Sequence, residues 1–422
     1  MKLLQVLPRA TAPAALGSLM SLAAQGFFAL VLFRLFTPEE VGVFSATTQL
    51  AFFWASLALA QSPLSLLAER HQDPRAAARR AWRQSAWRML WLAPVAALGA
   101  AWSGMGQTTQ VWAWAAALAL TQLSWLLAQS LTLQVGSRWS MGLVRMVPPV
   151  LAVALAVLGA VFSTWLDTDH HLPVLLVSAT LGYGVGAMWM RLAFQKAPTE
   201  PADPTEKDGQ PVWAEAPAST DPRSARLKML HTLMDGLAAT ALALSWPALY
   251  GLQEAGWMLA LLRVLSFIPA LVHTAWAQVV LSSPTAVRLR PIHVALAASA
   301  LVLAMGALVS AAVLLDWLDA RWQGLSVYVW PLVIWQLTAC FMAAFSHLPF
   351  QKGWAAVYSW LCIGINAGFI TLCLAGAAVF DFSASEHMGW LAAYMVLSLG
   401  AMALWVAQSP FRSQLAGGSS SH

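Results

Sequence analysis

The amino-acid sequence is built from long apolar runs that charge rarely interrupts. They cover approximately residues 14–36, 43–67, 86–103, 111–133, 143–165, 172–194, 228–250, 255–281, 293–315, 326–346, 354–376 and 388–408. Most are close to the roughly 20 residues that a helix needs to cross the hydrocarbon layer. A peptide group in hydrocarbon has no water to bond, so each run must satisfy its own backbone as a helix. The short alternating strands of a membrane β-barrel are absent. The runs predict an all-α membrane protein with about 12 transmembrane helices. Composition agrees, with only 10% charged residues where a soluble domain carries about a quarter. The third run is the weakest, because Trp87 and Arg88 shorten it. Its start reads as an amphipathic turn whose charged heads snorkel to the interface.

The basic residues set the orientation. Lys2 and Arg9 precede the first run, which is too long for a signal-peptide core and lacks a clear cleavage site. It reads as an uncleaved first helix. With the N-terminus inside, all of the 23 Lys and Arg residues except Arg34, Arg263 and Arg321 fall in inner segments. Glu39, Glu40, Asp167, Asp169, Glu254, Asp316, Asp319, Asp381 and Glu386 fall in outer loops. This positive-inside pattern predicts a multi-pass membrane protein with both termini cytoplasmic. It also accounts for the net charge of +5 without a nucleic-acid partner. Trp82, Trp87, Trp112, Trp165, Trp213, Trp257, Trp317, Trp322, Trp354 and Trp390 stand near run ends, where indoles anchor at headgroup level. Cys340, Cys362 and Cys373 lie in apolar runs without CxxC spacing, which argues for buried thiols and against a disulfide framework or metal site.

One long polar stretch breaks the pattern. Residues 195–227 hold Pro198, Pro201, Pro204, Pro211, Pro217 and Pro222 among acids and hydroxyls, a composition that cannot bury a core. They are expected to be a disordered cytoplasmic linker between six-helix lobes at 1–194 and 228–410, with a cytoplasmic tail at 411–422. The two halves carry a matching joint. FTPEEVGVFSATTQLAFF from Phe36 aligns with YGLQEAGWMLALLRVLSF from Tyr250. The alignment pairs Gly42 with Gly256, Glu40 with Glu254 and Ala46 with Ala260. Parallel repeats of this kind are common in transporters, with the substrate path between them.

The phrase Arg34-Leu35-Phe36-Thr37-Pro38-Glu39-Glu40-Val41-Gly42 resembles the opening of the polysaccharide flippases (Wzx type) of the multidrug/oligosaccharidyl-lipid/polysaccharide exporter superfamily. The stretch from Glu254, with Ala255, Gly256, Arg263, Pro269 and Ala275, is similar to that family's eighth helix. The long Pro-rich linker and Val41, where an aromatic is common, depart from the family pattern. The resemblance implies two six-helix lobes around a central cavity that opens alternately to each side. It implies a polyprenyl-diphosphate-linked oligosaccharide as substrate, flipped for O-antigen, capsule or exopolysaccharide synthesis. Its partners would be membrane lipid, the lipid-linked glycan, and polysaccharide polymerase or assembly proteins.

Such a substrate needs cations in a wet cavity and polar groups for sugars, and few charges lie within the spans. Arg263 sits seven residues past Gly256, about 10 Å along a helix. It is a candidate for diphosphate or sugar, or it pairs with Glu254 or snorkels. Arg34, near the outer end of the first run, is a candidate anion ligand or a partner of Glu39 or Glu40. Asp235 is the only acid inside a run. It is the candidate for a coupling cation or proton, or a buried partner for His231 one turn away. His273 is a cavity candidate or a packing histidine. Gln25, Gln49, Gln122, Gln129, Gln278, Gln336 and Asn366 are polar groups for sugars or for helix–helix bonding. Gln49 ranks first as the repeat mate of Arg263. The Arg70–Arg88 cluster suits anionic headgroups, and recruitment of the substrate diphosphate is the sharper reading.

No P-loop, HExxH, GxSxG or His/Cys cluster occurs in the sequence, so no enzyme, cofactor or metal is expected. The outer loops are too short for a catalytic domain. The leading expectation is a lipid-linked oligosaccharide flippase. A cation-coupled small-molecule or drug exporter of the same fold and a non-transport scaffold in a polysaccharide assembly complex are the alternatives.

Overall fold

The computed structural model describes residues 12–60, 62–63, 66, 74–106, 108–135, 138–165, 171–196, 222–276 and 290–409. Twelve helices of 20 residues or more run through them. They are α1 (Ala12–Leu35), α2 (Pro38–Leu59), α3 (Pro74–Trp102), α4 (Thr108–Val135), α5 (Arg138–Trp165), α6 (His171–Lys196), α7 (Pro222–Tyr250), α8 (Leu252–Leu271), α9 (Pro291–Leu314), α10 (Ser326–Phe345), α11 (Ala355–Phe380) and α12 (Ala384–Gln408). Each overlaps one expected apolar run. Among the described residues, nine segments are long and apolar enough to cross a membrane. The arginines that open α3 and the Asp235 in mid-α7 lower the hydropathy of those two helices. The protein has an all-α, multi-pass membrane fold.

Two expectations change. Helix α7 starts at Pro222 rather than Lys228, because proline fits a first helical turn whose N–H groups lack partners anyway. The rest of the expected linker, 197–221, lies outside the described residues, as do Lys2, Arg9, Arg70 and the 411–422 tail. Trp322 is not an interfacial anchor. It is fully buried, its ring edge-on to Phe33 at 4.8 Å. Trp87, Trp165, Trp317 and Trp390 are exposed as anchors should be. The three cysteines are buried, and none of them forms a disulfide.

The chain forms two compact units. One holds the described residues up to Pro222 with Ala239–Ala260 and Leu318–Trp322. In it α5 packs on α1 and α6, α4 on α6, and α2 on α3 and α4. Leu123, Leu127 and Leu131 form a fully buried stripe along α4 at one-turn spacing. Indole N–H groups bind neighbouring backbones across helices: Trp54 to the Met89 carbonyl at 2.9 Å and Trp125 to the Val144 carbonyl at 2.7 Å. The other unit holds Arg223–Ala238, Leu261–Trp317 and the chain from Gln323 on. In it α10 packs on α9 and α12, and α11 on α12. Met342, Tyr358, Cys362, Met402 and Val406 form a buried cluster there. Lys352 Nζ donates to the carbonyls of Val406 (3.0 Å) and Ser409 (2.6 Å) at the end of α12.

The helix pairings repeat. The pairs α3–α4, α4–α6 and α5–α6 of the first unit recur as α9–α10, α10–α12 and α11–α12 of the second. The aligned joints solve the same turn differently. At the first, Thr37 caps α2: its hydroxyl accepts from the Glu40 N–H (3.2 Å), and the Glu40 carboxylate accepts from the Thr37 N–H (2.8 Å). At the second, Gly251 takes φ +89° and its N–H reaches the Pro247 carbonyl at 3.1 Å, a left-handed C-cap that glycine adopts without a Cβ clash.

Candidate functional site

The second unit brings polar side chains together at mid-helix depth. Asp235 stands near the middle of α7 and Asn366 near the middle of α11. The Asn366 amide donates to Asp235 Oδ1. His231 Nε2 lies 3.3 Å from Asp235 Oδ2, one turn away on the same face. A protonated imidazole makes that contact an ion pair, and a neutral one a hydrogen bond. The His231 ring meets Tyr358 of α11 edge-on at 5.8 Å. Each carboxylate oxygen thus has a named partner, yet 56% of the Asp235 side-chain surface is accessible. The group is held and still reachable.

His273 lies in the turn that follows α8. Pro269 removes a backbone N–H near the end of that helix, and Val272–Trp276 follow as a π-turn. Such turns arise where the regular ladder is disturbed and are frequent at functional sites. Trp276 anchors this turn through its Nε1 to the Ala344 carbonyl at 3.1 Å. His273 Nδ1 lies 3.2 Å from Ser346 Oγ, is exposed, and is within electrostatic reach of Asp235. One imidazole, one carboxylate and one amide therefore meet between α7 and α11, with His273 in the turn after α8 acting on Asp235 through its field. The chemistry available is reversible uptake of a proton or small cation. Among the described residues, no group of three or more His, Cys, Asp or Glu side chains is placed to hold a metal ion.

Of the other sequence candidates, Arg34 is exposed on α1, and among the described residues no ion pair ties it to Glu39 or Glu40. Gln49 Nε2 donates to Thr240 Oγ1 at 3.3 Å, linking α2 to the second half of α7 within the first unit. Arg263 is half-buried on α8. The side chain of Gln25 and all of Gln278 lie outside what is described. Sequence reasoning named Asp235, His231 and His273 but did not rank Asn366, and it missed Ser346 and Tyr358. A mid-span amide in a chain with one mid-span acid was the available signal for Asn366. Ser346 and Tyr358 carried none.

Solved structures supply the comparison. The crystal structure of the eukaryotic MATE transporter AtDTX14 superposes on this chain with a TM-score of 0.50 at 13% identity, covering 95% of each chain. The two proteins share a fold. An inward-facing multidrug resistance MATE family transporter of the MOP superfamily overlays with a TM-score of 0.41 at 14% identity, over 95% of this chain and 94% of that one. No protein-family model and no curated protein matches the sequence.

Proposed function

We propose that this protein is a cation-coupled exporter of a small or amphiphilic solute, working by alternating access of two six-helix halves, 1–194 and 228–410. The observation that carries the reading is the Asp235–Asn366–His231 group. An ionisable side chain at mid-membrane depth is costly unless it works. Here it is bonded on both oxygens and remains accessible. The coupling ion that suits it best is a proton, because Asp235 and His231 can share one. Support also comes from the fold held in common with a MATE transporter. In this reading the chain is an inner-membrane protein with cytoplasmic termini. The test is efflux from proteoliposomes under an imposed pH gradient, with ethidium as reporter. Gradient-driven ethidium movement that Asp235→Asn abolishes supports the reading. Movement that is indifferent to both the gradient and Asp235→Asn removes it.

A second reading rests on a different observation, the Arg34–Gly42 phrase with its capped Thr37–Glu40 turn. There the cargo is a polyprenyl-diphosphate-linked oligosaccharide. Arg263 and Arg34 contact the diphosphate, Gln49, Gln25 and His273 line the glycan path, and polysaccharide assembly proteins are partners. Lipid-linked glycans in a deletion strain of the native host separate the readings. Complete repeat units trapped on the inner leaflet favour the flippase. Unchanged glycans with new drug sensitivity favour the exporter. Neutral Arg263→Ala and Asp235→Asn variants at normal expression would point instead to a non-transport scaffold.

A further inference from the structure

The first unit holds a separate pocket of about 390 Å³ at the end where α2, α4 and α6 begin. This is within the usual volume range of small-molecule sites. Glu39 and Glu40 line it together with Trp114, and none of the described lining residues is basic. One Glu40 oxygen is occupied by the Thr37 N–H. Thr47 also lines the pocket. It is fully buried, and its hydroxyl has no hydrogen-bond partner among the described residues. A helical threonine ordinarily donates to a carbonyl one turn back, as Thr121 and Thr132 of α4 do. A buried orphan hydroxyl calls for an explanation, and a bound group is one. Leu252, the first residue of α8, completes the wall.

We propose that this pocket binds a monovalent organic cation with an aromatic or apolar body. Two carboxylates, with no basic side chain among the described lining residues, favour a positive ligand. An indole attracts a cation through its ring quadrupole, and Trp114 lines the pocket. Met105, Val111 and Leu176 supply apolar wall for the ligand body. A bare metal ion would demand more oxygen ligands than two adjacent glutamates offer. The site is distinct from the Asp235 group and does not depend on the transport reading.

The test is equilibrium dialysis of the chain in detergent against radiolabelled benzylammonium, whose N–H groups can bond both a carboxylate and the Thr47 hydroxyl. Saturable binding is expected, with no competition from the neutral isostere ethylbenzene. Glu39→Gln should weaken it about tenfold, the size of one charge-assisted contact. Trp114→Leu should weaken it without touching a helix cap, and Asp235→Asn should bind like wild type. The proposal is overturned if monodisperse wild-type protein shows no saturable binding. It is equally overturned if Glu39→Gln and Trp114→Leu bind like wild type, if Asp235→Asn is the variant that loses the ligand, or if magnesium displaces the organic cation at equal concentration.

Discussion

Gly42 and Gly256 meet backbone to backbone where the starts of α2 and α8 cross. A Cβ on Gly42 would lie 2.5 Å from the Leu252 carbonyl oxygen, and a Cβ on Gly256 would strike the carbonyl of Pro38. The contact is reciprocal. Pro38 stands to Gly42 as Leu252 stands to Gly256, in the register that aligns the two joints of the repeat. Each glycine lets the opposite helix bring its first carbonyl into the place a side chain would fill.

Gly256→Ala should therefore destabilise the protein by about 1–3 kcal/mol, as overpacked cores do. Gly42→Ala should cost less, since its nearest clash is milder. Gly364→Ala is the control. It sits in α11 with nothing within 4 Å of the added methyl, so helix propensity should leave it neutral or more stable by up to about 1 kcal/mol. Thermal unfolding in detergent checks the ranking.

At the Asp235 group, Asp235→Asn keeps the shape and removes the charge. Gradient-driven transport should fall at least tenfold, roughly the loss of one charge-assisted contact, while folding is retained. Asn366→Ala removes the donor to Oδ1 and should give a partial loss. Rates measured as a function of pH in proteoliposomes separate the two, because only Asp235→Asn should abolish the dependence on the gradient.

Lys352 is buried while its amine closes the free carbonyls at the end of α12. Lys352→Met leaves those acceptors without a donor. It should cost about 1–3 kcal/mol, seen as a lower melting temperature. Lys352→Arg keeps the charge that suits a helix C-terminus and should recover part of the loss.

Thr37→Ala opens the capping box at the start of α2. A lost cap costs about 1 kcal/mol, and Thr37→Ser should restore it. A melting series of the three proteins would show whether the first joint depends on its cap as the second depends on Gly251. Gly251→Ala should be more harmful than Thr37→Ala, because φ +89° is strained for any side chain.

How much of the site was legible follows from the same physics. An acid inside an apolar run stands out in one dimension, and its i−4 partner His231 follows from helix geometry alone. Asn366 lies 131 residues away, and its run contains nothing that names α7 as its neighbour. Trp322 shows the limit from the other side. At a run end it looks like an anchor, and packing against Phe33 makes it core.

The sequence by itself determined where the helices run, because a backbone in hydrocarbon must bond to itself whatever surrounds it. It also determined the joint register, since Gly42 and Gly256 align without any coordinates. Only the tertiary structure decided which faces meet: Asn366 on Asp235, His273 on Ser346, and the two glycines on each other's partner carbonyls. Between membrane helices that choice is made by van der Waals fit and a few polar bonds. These belong to pairs of surfaces, and no single run carries them.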